Sequence, residues 1–267
     1  MRTMSGNFIF RTATAITLTA ALVLSASALS ASAEPTDITV RVLSKDAKFI
    51  GTSMGSVRVT IRDADTGELL ASGLTQGGTG DTKRLMHTDA GRRSPLADDS
   101  AAKFSATIDL DAPRRIEVEA YGPLAQAQSA QRASSTQWVI PGKHVSGGDG
   151  WTLELPGFAV DVLAPPAHQS ITGPTTVNVR ANVVMMCGCP ITPGGLWDAN
   201  GYEVEAIVLR NGKQIGRMPM KYAGEPSQFA GDVEVTEPGM YEVVVYAHDP
   251  ANGNTGLDRT TFNVATK

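Results

Sequence analysis

Apolar and polar residues alternate with a period of two along most of this chain. Ile38-Thr39-Val40-Arg41-Val42 and Val57-Arg58-Val59-Thr60-Ile61 place apolar side chains on one face and polar ones on the other, as half-buried strands do. Phe104 to Leu110, Ile116 to Ala120 and Val160 to Leu163 repeat the pattern. Turn chemistry separates them: Asp65-Thr66-Gly67, Asp111-Ala112-Pro113 and Gly147-Gly148-Asp149-Gly150. Only Leu124 to Ser135, rich in Ala and Gln, reads as a short helix, and its apolar face is weak. Residues 88–101 read as a long polar loop.

Leu163-Ala164-Pro165-Pro166-Ala167 reads as a linker, and a second strand-rich segment follows it. Its strands are Val177 to Met186, Tyr202 to Arg210, Ile215 to Tyr222, Gly231 to Thr236, Tyr241 to His248 and Thr260 to Val264. Asn211-Gly212 joins two of them as a tight hairpin, because both central turn positions need positive φ. The spacing predicts a sandwich. The chain is therefore expected to be all-β, with two antiparallel β-sandwich domains at 34–164 and 165–267.

The first 33 residues read as a cleaved signal peptide. Arg2 and Arg11 supply positive charge, Ala13 to Ala28 is apolar and small, and Ala31-Ser32-Ala33 makes a cleavage site before Glu34. Removing them leaves 234 of 267 residues, enough for two domains of about 100–130 residues with their own cores. It also removes two arginines and no acids, taking the formal charge from −4 to −6. That balance argues against nucleic acid or an anionic membrane as a partner. No later segment approaches spanning length, so membrane insertion is not expected and the mature protein is expected in the periplasm or outside the cell.

Two stretches resemble known families. Pro238 to Asp249, then Gly253-Asn254 and Thr261-Phe262-Asn263-Val264, resembles the last two strands of bacterial immunoglobulin-like domains. Val57 to Ile61, Asp63-Ala64-Asp65-Thr66-Gly67 and Gly73-Leu74-Thr75 resemble transthyretin-like or carboxypeptidase-regulatory-like sandwiches. Each match covers about a tenth of the chain. The resemblance implies fold and carries no activity, because sandwiches host many functions.

The candidate chemistry lies in Met185-Met186-Cys187-Gly188-Cys189-Pro190, which holds both cysteines of the chain. In an oxidising compartment cysteines normally pair across a fold, but a pair at i and i+2 cannot staple distant elements. Three readings stay open: a soft-metal site, buried free thiols, or a local bridge that stiffens the loop from Gly188 to Gly201. Parity along the strand from Val177 points Met185 and Cys187 inward and Met186 outward. In an immunoglobulin-like module this strand and the strand carrying His248 end at the same side. Met186, Cys187, Cys189 and His248 are thus the candidate ligands, a thiolate, thioether and imidazole set that suits copper(I), with zinc a weaker option.

Other motifs carry less. Gly51-Thr52-Ser53-Met54-Gly55 matches the G-x-S-x-G nucleophile pattern, but that pattern needs a strand, a sharp turn and a helix, and a strand follows here. The oxygen-rich segments Asp63 to Glu68 and Asp249 to Asp258 sit where hairpin turns are expected and do not fit a twelve-residue calcium loop. Met218 and Met220 are expected in core or edge packing, and Trp138, Trp151 and Trp197 as core or loop anchors. No convergent acid, base and nucleophile set appears, so an enzyme is not expected. The expected function is non-catalytic binding by an exported protein, foremost of copper through the Met-Met-Cys-Gly-Cys segment. The alternative is a metal-free accessory protein docking on another exported protein or a cell-surface polymer.

Overall fold

The computed structural model describes residues 32–87 and 91–266. The leader read over 1–33 lies outside the described residues except for Ser32 and Ala33. From Ser32 onward the chain forms one compact unit. Its strands are β1 (Glu34–Ser44), β2 (Arg58–Asp63), β3 (Leu69–Leu74), β4 (Phe104–Leu110), β5 (Arg114–Gly122), β6 (Gln131–Val139), β7 (Trp151–Leu155) and β8 (Phe158–Ala164). They continue with β9 (Gln169–Gly173), β10 (Thr175–Met185), β11 (Glu203–Arg210), β12 (Lys213–Pro219), β13 (Lys221–Tyr222), β14 (Gln228–Val235), β15 (Gly239–His248) and β16 (Thr255–Thr266). Among the described residues there is one short α-helix, α1 (Thr82–Met86). The protein is all-β.

Two sheets, ordered β4-β1-β7 and β3-β2-β5-β6, form the first sandwich. Two more, β13-β14-β10-β8 and β12-β11-β15-β16-β9, form the second. The pairings are antiparallel except at two sheet edges, where β7 runs parallel to β1 and β9 parallel to β16. The second sandwich has the immunoglobulin-like arrangement, with β8, β10, β14 and β13 facing a sheet whose centre is β11, β15 and β16. Tyr241, at the start of β15, donates its hydroxyl to the Glu237 carbonyl at 2.8 Å, the tyrosine corner of such folds. Its ring is buried and stacked on Phe262 at 5.3 Å between centroids.

The two prolines read as a linker have a different role. β8 precedes them and is hydrogen-bonded to β10, so the change from first to second sandwich comes between Leu155 and Phe158. Pro165 and Pro166 lie between β8 and β9, where the chain crosses from one sheet of the second sandwich to the other. Lacking N–H groups, prolines suit a point at which ladder pairing must stop.

The stretch from Leu124 to Ser135 contains only a 3-10 turn at Ala127–Ser129 before β6 begins. The helix expected there gives way because β6 gains a full antiparallel ladder with β5, from Arg114↔Val139 to Gly122↔Gln131. A weakly amphipathic segment has little packing energy with which to resist that pairing.

Each sandwich has its own core, and the two cores interpenetrate. Ala47 of the first sandwich packs into the second core, while Ala159 and Met186 of the second pack into the first. Polar contacts complete the junction. Trp197 Nε1 donates to the Asp46 carbonyl at 3.0 Å, and Lys45 Nζ donates to the Asn252 carbonyl at 2.8 Å. Asn254, fully buried, accepts from the Gly157 amide and donates to the Lys45 carbonyl.

Candidate functional site

The Met-Met-Cys-Gly-Cys segment lies at this junction. β10 keeps strict alternation to its end: Val177, Val179, Ala181, Val183 and Met185 face the second core, and Cys187 follows them into it. A turn then reverses the chain, with the Gly188 amide donating to the Met185 carbonyl at 2.7 Å. Gly188 takes a positive φ of 78°, which glycine adopts without steric penalty. The reversal brings Cys189 back beside the strand, where the Met185 amide donates to its carbonyl. The two cysteine Cα atoms stand 5.4 Å apart, within the ordinary bridging range, and their side chains are joined as a disulfide. Of the three readings left open by the sequence, this state is the local bridge.

That bridge is a weak staple. Closing so short a loop removes little chain entropy, on the order of 1.5 kcal/mol against about 3 for a fifteen-residue loop. Cys187 and Cys189 are 1% and 5% exposed. What exposure they have opens on a cleft of about 260 Å³ between the sandwiches. Lys48, Ser53 and Thr79 of the first sandwich line one side of it, and the cysteines and Trp197 line the other. Lys48 is held in place by donating to the Gly80 carbonyl and the Thr82 hydroxyl at 3.1 and 2.9 Å.

The remaining candidate ligands do not join the pair. Met186 points away from the second core, as its parity requires, but that side is the core of the first sandwich and not solvent. It is fully buried, and its sulfur lies toward Gly157. His248 ends β15, where it pairs with Glu203 at the start of β11. However, Val243, Val245 and Ala247 are the buried positions of β15, so His248 shares the outward face with Tyr246. The sheet separates it from the cysteines. Among the described residues no three His, Cys, Asp or Glu side chains gather as a metal site would require.

A methionine of the first sandwich packs against the glycine between the two cysteines. Met54 closes a 3-10 turn at Thr52–Met54 and is 8% exposed. A Cβ placed on Gly188 would stand 2.7 Å from the Met54 Sδ, so this thioether rests on the residue between the two cysteines. The G-x-S-x-G segment thus forms no nucleophile elbow; β2 follows it, and its methionine caps the disulfide loop. No sequence signal links positions 54 and 188.

The oxygen-rich turns are occupied by their own backbone. Asp63 accepts from the Asp65 and Thr66 amides, and the Thr66 amide above all holds its carboxyl below the usual range. Asp198, at the base of the loop before β11, is likewise lowered by the Asn200 and Gly194 amides. At the junction burial acts the other way. Burial, with Asp249 nearby, raises the Asp46 carboxyl, and burial beside Asp249, Asp46 and Asp198 pushes the Tyr202 hydroxyl up to about 12. Trp151 and Trp197 are buried as expected, whereas Trp138 stands 63% exposed on the edge strand β6.

No family model matches the chain, and no curated protein matches it. Among solved structures it is similar to the fibronectin(III)-like modules of CbhA from Clostridium thermocellum, at 14% identity over 86% of each chain with a TM-score of 0.28. It is also similar to the titin domains Z1Z2 crystallised with telethonin, at 11% identity over 88% of this chain and 96% of that one, TM-score 0.26. A match to an engineered protein, at 17% identity and TM-score 0.29, covers 48% of this chain and 24% of that chain. The immunoglobulin-like assignment rests on the strand order and tyrosine corner rather than on these likenesses. The class defined is a tandem β-sandwich protein with a disulfide loop at the junction. No helix among the described residues is long and apolar enough to cross a membrane.

Proposed function

We propose that this is an exported, non-catalytic binding protein whose Cys187–Cys189 pair takes up copper(I) in its reduced state. The observation that carries the reading is that a tight turn sets Cys187 and Cys189 side by side in a loop that lines a cleft between the sandwiches. A metal site needs ligands brought together and a route of access, and the loop supplies both. Reduction by a dithiol breaks the S–S bond, oxidises the donor to its own disulfide and leaves two thiols. Metal uptake then releases the two thiol protons. A two-thiolate copper(I) site carries one net negative charge, and Lys48 on the facing wall offsets it. Soft sulfur ligands select copper(I) over harder ions.

Anaerobic titration of the reduced protein against a chromophoric copper(I) chelator tests this directly. Reduced protein is expected to bind about one equivalent, and the oxidised protein none. The double change Cys187→Ser and Cys189→Ser is expected to abolish uptake while the circular dichroism spectrum stays that of a β protein. Unchanged alkylation of both thiols at saturating copper(I) would overturn the proposal and leave the metal-free accessory reading.

A further inference from the structure

We infer that a second cleft between the sandwiches is a binding site for an uncharged saccharide. It shares no residue with the cleft at the cysteine loop, so it stands or falls independently of the copper reading. Its volume is about 410 Å³, inside the range of about 300–1,000 Å³ usual for small-ligand sites. The floor is the outer face of the second sandwich. Ile207 of β11 stands opposite Val244 of β15, and Leu257 of β16 opposite Tyr246, giving one apolar block across three strands. The Tyr246 hydroxyl donates to Glu205, and the Arg217 guanidinium carbon lies 5.8 Å from the ring centre, which fixes the ring. The wall is the first sandwich's 3-10 turn at Ala127–Ser129 and the start of β6. Buried Ser129 clamps that turn, its Oγ accepting from the Val160 amide at 3.1 Å, and Gln128 Nε2 donates to the Val160 carbonyl at 2.8 Å. Both sides are thus set before a ligand arrives, which lowers the ordering cost of binding.

The lining selects the ligand class. Among the described residues no carboxylate, ammonium or guanidinium lines this cleft. An ionic ligand would therefore lose its hydration without gaining an opposite charge. A wholly apolar ligand would strip water from the Gln128 and Gln131 amides without replacing its hydrogen bonds. A peptide strand finds no edge to pair with in the floor, because β11, β15 and β16 are interior strands of their sheet. What fits is a ring with one face of C–H groups and a rim of neutral hydroxyls. The C–H face rests on the Tyr246 ring and its aliphatic neighbours. The hydroxyls, donors and acceptors at once, meet side-chain amides that are also both. Gln128 keeps its Oε1 for this role, since its Nε2 is spent on Val160, whereas exposed Gln131 offers both ends of its amide.

Saturation-transfer NMR on the full mature chain tests this against maltose, cellobiose, lactose and trehalose, with glucuronate and octanoate as charged and apolar probes. At millimolar sugar at least one disaccharide is expected to receive saturation, strongest at its ring C–H protons, and neither control is. Calorimetric titration with that disaccharide is expected to show affinity lowered about tenfold by Tyr246→Ala and about three- to tenfold by Gln131→Ala. The double change Cys187→Ser and Cys189→Ser is expected to bind it as the wild type does, because the two clefts share no residue. Saturation of no disaccharide, equal or stronger saturation of glucuronate or octanoate, or unaltered affinity in either cleft variant would overturn the inference. If Tyr246→Ala disturbs the fold, Gln131→Ala, a change of an exposed side chain, decides the question alone.

Discussion

Gly188 carries two constraints at once. Its φ of 78° suits glycine alone without strain, and the Met54 sulfur occupies the space a Cβ would need. Gly188→Ala is therefore expected to lower stability by about 1–2 kcal/mol, most of it from the left-handed backbone, because a thioether can shift more cheaply than a backbone. Urea unfolding in a Met54→Ala background separates the two contributions. The cost of Gly188→Ala should be smaller there. An equal cost in both backgrounds would show that Met54 exerts no pressure on the loop. The glycine was legible in the sequence as the middle of the cysteine pair. Its partner was not, because a contact across a junction leaves no local periodicity.

At the scale of elements, alternation identified the central strands and the edge strands β4, β8 and β12, and missed β3, β6, β7 and β9. β2, β5, β10, β11 and β15 are buried on alternate residues, so their sequences show the period plainly. β6 is an edge strand with only Val139 fully buried, so nothing in its composition demanded a strand; pairing with β5 made it one. The helix α1 was not read from the sequence; Asp81 caps its start, its carboxylate accepting from the Arg84 amide. The Asn211-Gly212 hairpin was fully local, and both residues take the positive φ expected. The tyrosine corner offers a clean test of the second sandwich. Tyr241→Phe keeps the stacked ring but leaves the Glu237 carbonyl without its donor, at an expected cost of about 1–2 kcal/mol. The urea midpoint should fall with no change in slope.

For the whole molecule, the junction decides how the two sandwiches behave. Its polar groups make a pH prediction. Burial, then Asp249, raises the Asp46 carboxyl above its ordinary value of 3.8, with Lys45 opposing. The folded state thus binds that proton more tightly than the unfolded chain does. This contribution is present at acid pH and lost as pH rises through the raised value. Asp46→Asn is expected to stabilise the protein at neutral pH relative to wild type and to gain nothing at strongly acid pH. Asn also suits the positive φ of 57° at this position. Thermal unfolding of both proteins from pH 3 to 7 checks it, and a difference that shrinks toward neutrality would contradict the sign.

By itself the sequence determined that this is an all-β chain of two sandwiches, because strand periodicity and turn chemistry are read within a few residues. It also determined which face of β10 is buried, and so that Met185 and Cys187 point one way and Met186 the other. What lies on each side was decided only by tertiary structure. The outward face at the end of β10 meets the core of the first sandwich, which turned Met186 from a candidate ligand into packing. The sheet of β15 stands between His248 and the cysteines, although strand ends alone placed them together. Met54 reaches Gly188 only because the 3-10 turn before β2 is folded against the loop after β10. Parity along a strand is a local property of the backbone; the neighbour across a junction is set by how whole sandwiches pack.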